Sequence, residues 1–204
     1  MNADYKETLT QDFKSGVAHG VLVSNLAGEL GKALDLSEQE CYDLRMAGLL
    51  HDIGKLGLAP YLYGRNEDGL SIEEVKYMRM HSKISYDVLS KFDISDSVLD
   101  IVLHHHEAYD GSGYPDNLSG EDISIGARVL RVADEFAALI SDRPYRKAFD
   151  TDTAMDIMID EIKNVDMKVF ITFQRLIHEE STIRLIEDSK INLDEMIDIS
   201  KYID

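Results

Sequence analysis

The 204-residue chain has one cysteine, three prolines and no tryptophan. The lone Cys41 has no partner for an internal disulfide, which fits a reducing compartment and predicts a cytoplasmic protein. Few prolines and the lack of sustained apolar/polar alternation argue against a β-sandwich or barrel. No apolar run approaches the roughly 20 residues that a membrane span requires. The N-terminal MNADYKETLTQDFK is polar and has no signal-peptide core. Basic residues are also scarce, 21 against 39 acids for a formal net charge of −18. Such a chain repels polyphosphate backbones, so no nucleic-acid polymer is expected as a partner. At this length one domain with a sizeable core is expected over residues 1–204.

Helical periodicity fills the space these absences leave, so the expected fold class is all-α. His19, Leu22, Leu26 and Leu30 share a first stripe. Ser37-Glu38-Gln39-Glu40 reads as a capping box, followed by Cys41, Leu44, Gly48 and His51, with Gly54 closing the helix. Ser71-Ile72-Glu73-Glu74 opens a third helix in the same way, with Val75, Met78 and His81 on one face. A fourth, about 94–107, aligns Val98, Ile101 and His105. A fifth, about 124–140, aligns Ala127, Leu130, Asp134 and Ala137. Two or three more helices fill 151–202. Gly57–Gly69 and Ala108–Asp122 are loops, the second built around Gly111, Gly113, Pro115 and Gly120.

Six of the seven histidines fall in four places, at His19, His51, His81 and His104-His105-His106, each on or beside a predicted apolar stripe. One histidine so placed is ordinarily a satisfied core residue. Asp52 beside His51, and Asp134 among small apolar residues, change that balance, because buried aspartate needs a partner or a metal. Imidazoles from four inward faces plus two inward carboxylates are the ingredients of a metal site inside a helical bundle. Six or so ligands carrying about two negative charges suit two divalent ions better than one.

These residues also carry a resemblance. His51-Asp52-Ile53-Gly54-Lys55, then His105-His106-Glu107, Asp110-Gly111-Ser112-Gly113-Tyr114-Pro115 and Arg143-Pro144-Tyr145-Arg146, resemble the HD-GYP family of bacterial HD-superfamily phosphodiesterases. The resemblance covers roughly residues 17–170 and leaves 171–204 as a helical extension. It implies a single helical bundle with a metal site in its core, and hydrolysis of cyclic di-GMP to linear pGpG, GMP or both by metal-activated water. Other HD phosphohydrolases act on other nucleotides, such as cyclic GMP-AMP. A catalytically silent domain that binds a nucleotide or a partner protein is the third reading, and regulation would come from partner proteins.

Position by position, the resemblance implies His19, His51, Asp52, His81, His105, His106 and Asp134 as ligands of two divalent ions. His19, His51, Asp52 and Asp134 would surround one ion and His81, His105 and His106 the other, with Asp52 bridging. Iron or manganese is the implied metal, with zinc and nickel also suited to imidazole and carboxylate. Lys55 would contact the scissile phosphate, beside Asp52 in the catalytic centre. Tyr114 would stack on or hydrogen-bond a guanine, and Arg143 and Arg146 would take phosphate or guanine, with Lys147 adding positive charge. Glu107 would orient a ligand imidazole, and His104 falls outside the ligand set. Ser15 stands where members with a third metal carry a glutamate, so two ions are expected. Ala137 replaces a common aspartate that is not a ligand, and Ala59–Gly69 departs from the family pattern by an additional residue.

Overall fold

The computed structural model describes residues 3–56, 72–142 and 146–189, with side chains described at 13–56, 73, 75–142 and 146–189. Arg143, the Ser71 cap and the Ala59–Gly69 segment lie outside the described residues, as does the chain beyond 189. The regular elements found there are helical, as the periodicity predicts: α1 (Ala3–Ala33), α2 (Glu38–Leu50), α3 (Ile72–Arg79), α4 (His81–Leu89), α5 (Asp96–His104), α6 (Ile125–Leu139), α7 (Thr151–Asp160), α8 (Met167–Leu176) and α9 (Glu180–Asp188). None of the described helices is long and apolar enough to cross a membrane.

Local chemistry sets the helix starts. The Ser37 hydroxyl accepts from Glu40 N–H while the Glu40 carboxylate takes the Ser37 N–H at 2.8 Å, so the expected capping box is formed. Ser95, Ser124 and Asp150 cap α5, α6 and α7 with side-chain oxygens. Asp166 caps α8 and also receives Arg128 Nη1 at 2.6 Å, which ties α8 to α6 through a largely buried ion pair.

Three boundaries differ from expectation. α2 ends at Leu50, so Gly54 lies in the turn beyond it and does not close the helix. The third helix is two helices: α3 ends at Arg79, Met80 N–H turns back to Tyr77 C=O at 2.9 Å, and His81 begins α4. His81 is therefore buried at the start of α4, whereas Val75 on α3 is exposed. The fourth helix stops at His104, so His105, His106 and Glu107 sit on the turn beyond it.

The core lies along α1, α2, α5 and α6. Val23, Leu26, Leu30, Ala47, Val102, Val129, Leu130 and Phe136 are fully or almost fully buried in it. Phe136 meets Phe173 of α8 edge-on at 5.0 Å between ring centroids, so the C-terminal helices close the same core. α6 runs beside both α1 and α2, which places Asp134 opposite His19 and His51.

Candidate metal centre

Three helices and two turns bring the predicted ligands to one place. His19 comes from α1, His51 and Asp52 from the turn ending α2, and His81 from the first position of α4. His105 and His106 come from the turn after α5, and Asp134 from α6. His51, His81 and His105 are at most 1% exposed, a burial that isolated imidazoles and carboxylates do not tolerate unpaired.

The ring orientations follow from the backbone. His51 Nδ1 lies 2.8 Å from the Gly48 carbonyl, His81 Nδ1 2.6 Å from that of Met78, and His105 Nδ1 2.7 Å from that of Val102. A carbonyl only accepts, so each Nδ1 carries the proton and each Nε2 offers a lone pair. Those nitrogens converge: His81 Nε2 is 3.3 Å from His105 Nε2 and 3.1 Å from His106 Nε2. His19 Nε2 reaches Asp134 Oδ1 at 2.8 Å, and His51 Nε2 stands 3.4 Å from Asp52 Oδ2 and 3.5 Å from Asp134 Oδ1. Asp52 turns its other oxygen, Oδ1, toward His81 Nε2 at 3.4 Å. One carboxylate thus faces both halves of the cluster.

Three trios have ligand atoms within 4.8 Å of one another: His81, His105 and His106; His19, His51 and Asp52; and His51, His105 and Asp134. His19 Nδ1, His51 Nε2 and Asp52 Oδ1 are buried without a hydrogen-bond partner. Electrostatics points the same way. Burial alone would raise the Asp52 and Asp134 carboxyls, yet the neighbouring histidines, with Lys55 beside Asp52, hold both well below the usual range. Burial opposes charge on His51, but those carboxylates push it up to about 10, and a cation there would take the place of that proton. Burial first, and then crowding by like groups, lowers His81 and His105, while burial takes His106 to about 3. This is a neutral, lone-pair-bearing trio beside an anionic half, and the donor set fits divalent cations of the imidazole-and-carboxylate kind.

The HDIG turn owes its shape to Gly54. A Cβ there would lie 2.3 Å from the His81 carbonyl oxygen and 2.7 Å from Ser85 N, so only glycine lets the turn press against α4. Ser85, fully buried, completes the join: its Oγ donates to the His51 carbonyl at 2.6 Å and accepts from Gly54 N–H at 2.9 Å. Sequence reasoning missed Ser85, whose only signal is its place one helical turn after His81.

Around the rim, Lys55 Nζ pairs with Asp52 Oδ2 at 2.5 Å. Tyr114 stacks on His106, centroids 4.9 Å apart at 26°, and its N–H donates to the His106 carbonyl at 3.2 Å. Burial pushes the Tyr114 hydroxyl up, leaving it a neutral donor. Gly113 allows this approach, since a Cβ there would lie 2.2 Å from Ala108 N. Glu107 acts differently from expectation. Both its oxygens are taken by loop amides, Asp116 N at 2.6 Å and Leu118 N at 3.1 Å, so it pins the Gly-rich loop and does not orient an imidazole. His104 lies apart, its ring nitrogens facing Asp100 and Asp116. Ser15 is exposed on α1. Arg146 sends its guanidinium to the Ala138, Leu139 and Lys147 carbonyls and lies over Phe149, at the end of α6. Lys147 pairs with Asp142 on the surface.

Comparison with known proteins agrees with this frame. The HD domain family model matches residues 3–169. The cyclic di-GMP phosphodiesterase response regulator RpfG of Xanthomonas campestris is 39% identical over 160 residues, covering 74% of this chain and 42% of its own. The 3′3′-cGAMP-specific phosphodiesterase 3 of Vibrio cholerae is 30% identical, covering 78% of this chain and 35% of its own. This chain thus spans about two fifths of the length of the curated relatives it matches. The solved HDG"Y"P protein Bd1817 of Bdellovibrio bacteriovorus shares the fold with a TM-score of 0.63 at 22% identity, over 79% of this chain and 52% of that one. With its HDIGK turn seated in a helical bundle of this shape and its HD-GYP motifs in order, the chain belongs to the HD-domain family.

Proposed function

We propose that this chain hydrolyses cyclic di-GMP to linear pGpG, GMP or both, at two divalent ions. His19, His51, Asp52 and Asp134 would hold one and His81, His105 and His106 the other, with Asp52 between them. Iron or manganese is favoured by the family resemblance, with zinc or nickel next. The observation that carries this reading is the trio of imidazoles whose Nδ1 protons are spent on carbonyls of their own chain, while their Nε2 lone pairs meet two partly buried carboxylates. The ions, when bound, activate water and neutralise phosphate charge for in-line displacement.

The protein groups do the rest. Asp52 offers an oxygen to each half, and the carbonyl anchors stop the rings from turning away. Lys55, 2.5 Å from Asp52 in the structure, would hold a non-bridging oxygen of the scissile phosphate. Tyr114 contributes a neutral hydroxyl and a ring edge to a base. Arg143 and Arg146 add donors from the RPYR segment, Arg146 through the N–H groups that the α6 carbonyls leave over. Partner proteins would regulate the reaction.

Cyclic GMP-AMP is the second reading, favoured by the Vibrio cholerae relative at 30% identity. A silent binding domain is opposed by the complete ligand set. The test is elemental analysis of anaerobically purified protein coupled to hydrolysis of a cyclic dinucleotide panel. About two equivalents of metal, with turnover lost on chelation and restored on reloading, are expected. Metal-free protein with full turnover defeats the reading, and a third ordered ion defeats the Ser15 argument.

A further inference from the structure

Arg79 ends α3, two residues before His81, and its guanidinium carbon lies 5.3 Å from the centre of the Tyr114 ring, which itself stacks on His106. Neither the HDIGK, HHE, GYP and RPYR motifs nor helical periodicity marks it. Its side chain is exposed, and among the described residues it has no ion pair. The other described cations near the centre each have a protein partner, and Lys55 and Arg146 have only their remaining N–H groups to give to the substrate. Lys55 is paired with Asp52, Arg128 with Asp166, Arg131 Nη1 donates to the His106 carbonyl at 3.3 Å, and Arg146 serves the end of α6.

A cyclic dinucleotide carries two phosphodiesters in one ring. A metal pair with Lys55 meets the one being cut, and the other arrives with its charge at a chain of net charge −18. Resting on the function proposed above, we propose that Arg79, held over Tyr114, binds the uncleaved phosphate of the cyclic dinucleotide and so selects two-phosphate rings. A planar guanidinium lying on an aromatic face keeps its N–H edge free for a bidentate phosphate contact. A guanine contact would use the same edge, but the shortage of free positive charge favours phosphate.

The test uses metal-loaded protein with Arg79→Gln and Arg79→Lys. It measures KM and kcat on cyclic di-GMP and cyclic GMP-AMP, metal per chain, and calorimetric binding of the hydrolysis-resistant bis-phosphorothioate of cyclic di-GMP. Arg79→Gln should raise KM and weaken analogue binding about 10- to 100-fold on both rings, the scale of one lost charge-assisted contact. Its kcat should stay within about twofold and its metal content unchanged. Arg79→Lys should recover part of the loss. Unchanged binding overturns the assignment, as does a loss that differs between the two rings, which would mark a base contact. Loss of metal overturns it too, because Arg79 would then be supporting His81. Wild-type protein that binds the analogue without cleaving any ring refutes the hydrolytic reading alone, and weaker binding by Arg79→Gln still upholds the phosphate contact. Wild-type protein that does neither overturns both.

Discussion

His81 Nε2 stands 3.1 Å from His106 Nε2, though 25 residues of chain separate them. His81 has already spent its Nδ1 proton on the Met78 carbonyl, so its inward nitrogen is a lone pair. A lone pair held this close to a second ring nitrogen needs a proton or a cation between them.

Chelation should therefore cost stability. Ions that bind the folded chain and not the unfolded one, at a free concentration about 100 times Kd, contribute about 2.7 kcal/mol per site. For a domain of this size that is a fall of about 5–10 °C in Tm for each site emptied, so about 10–20 °C when exhaustive chelation removes both ions. Differential scanning calorimetry before and after reloading measures it, and an unchanged Tm would mean that no metal was held.

Asp52→Ala should abolish hydrolysis and lower metal content together. Its two oxygens face His51 and His81 at 3.4 Å each, so its loss strips an anion from both halves at once. His104→Ala, outside the cluster, should keep full metal. Plasma emission analysis of the two variants side by side decides the matter, and full metal in Asp52→Ala contradicts a shared carboxylate.

Ser85→Ala removes a buried hydroxyl and leaves Gly54 N–H without its partner. The expected loss is about 1–3 kcal/mol in urea unfolding, the usual cost of an orphaned buried donor. Gly54→Ala should be at least as damaging and should also lower metal content, since the HD turn must retreat from α4. A neutral Gly54→Ala would contradict the close approach.

Tyr114→Ala should keep both ions and lose about 1–3 kcal/mol of transition-state binding to a cyclic dinucleotide, about 5- to 150-fold in kcat/KM. The loss on bis(p-nitrophenyl) phosphate, which has no base, should be smaller. Equal losses on both substrates would assign Tyr114 to holding His106 in place.

Much of this was legible in the sequence because the ligands are the residue types that violate an apolar stripe. His19, Asp134 and His51 interrupt Leu- and Ala-rich faces, and Ser37 and Ser124 announce helix starts. The break at Met80 was hidden, since Val75, Met78 and His81 keep helical spacing across it. Ser85 and Arg79 were hidden for another reason. Their roles arise where Gly54 and Tyr114 bring distant segments within a few ångströms, and no local pattern encodes that approach. The roles of Glu107 and Arg146 were obscured because backbone groups compete for their donors and acceptors, and sequence does not display that competition.

The carbonyl anchors of His51, His81 and His105 have a consequence for how the chain can change. Their acceptors belong to the main chain at Gly48, Met78 and Val102, so side-chain substitution cannot delete them. Residues 78 and 102 can drift through any side chain their packing admits while the ring tautomers stay the same. Mutation can reach the orientation of these imidazoles only by shifting the backbone turn that joins each ring to its acceptor, as Gly54→Ala would do at His51. The metal-binding posture is thus inherited with the secondary structure, ahead of any residue that reads a substrate.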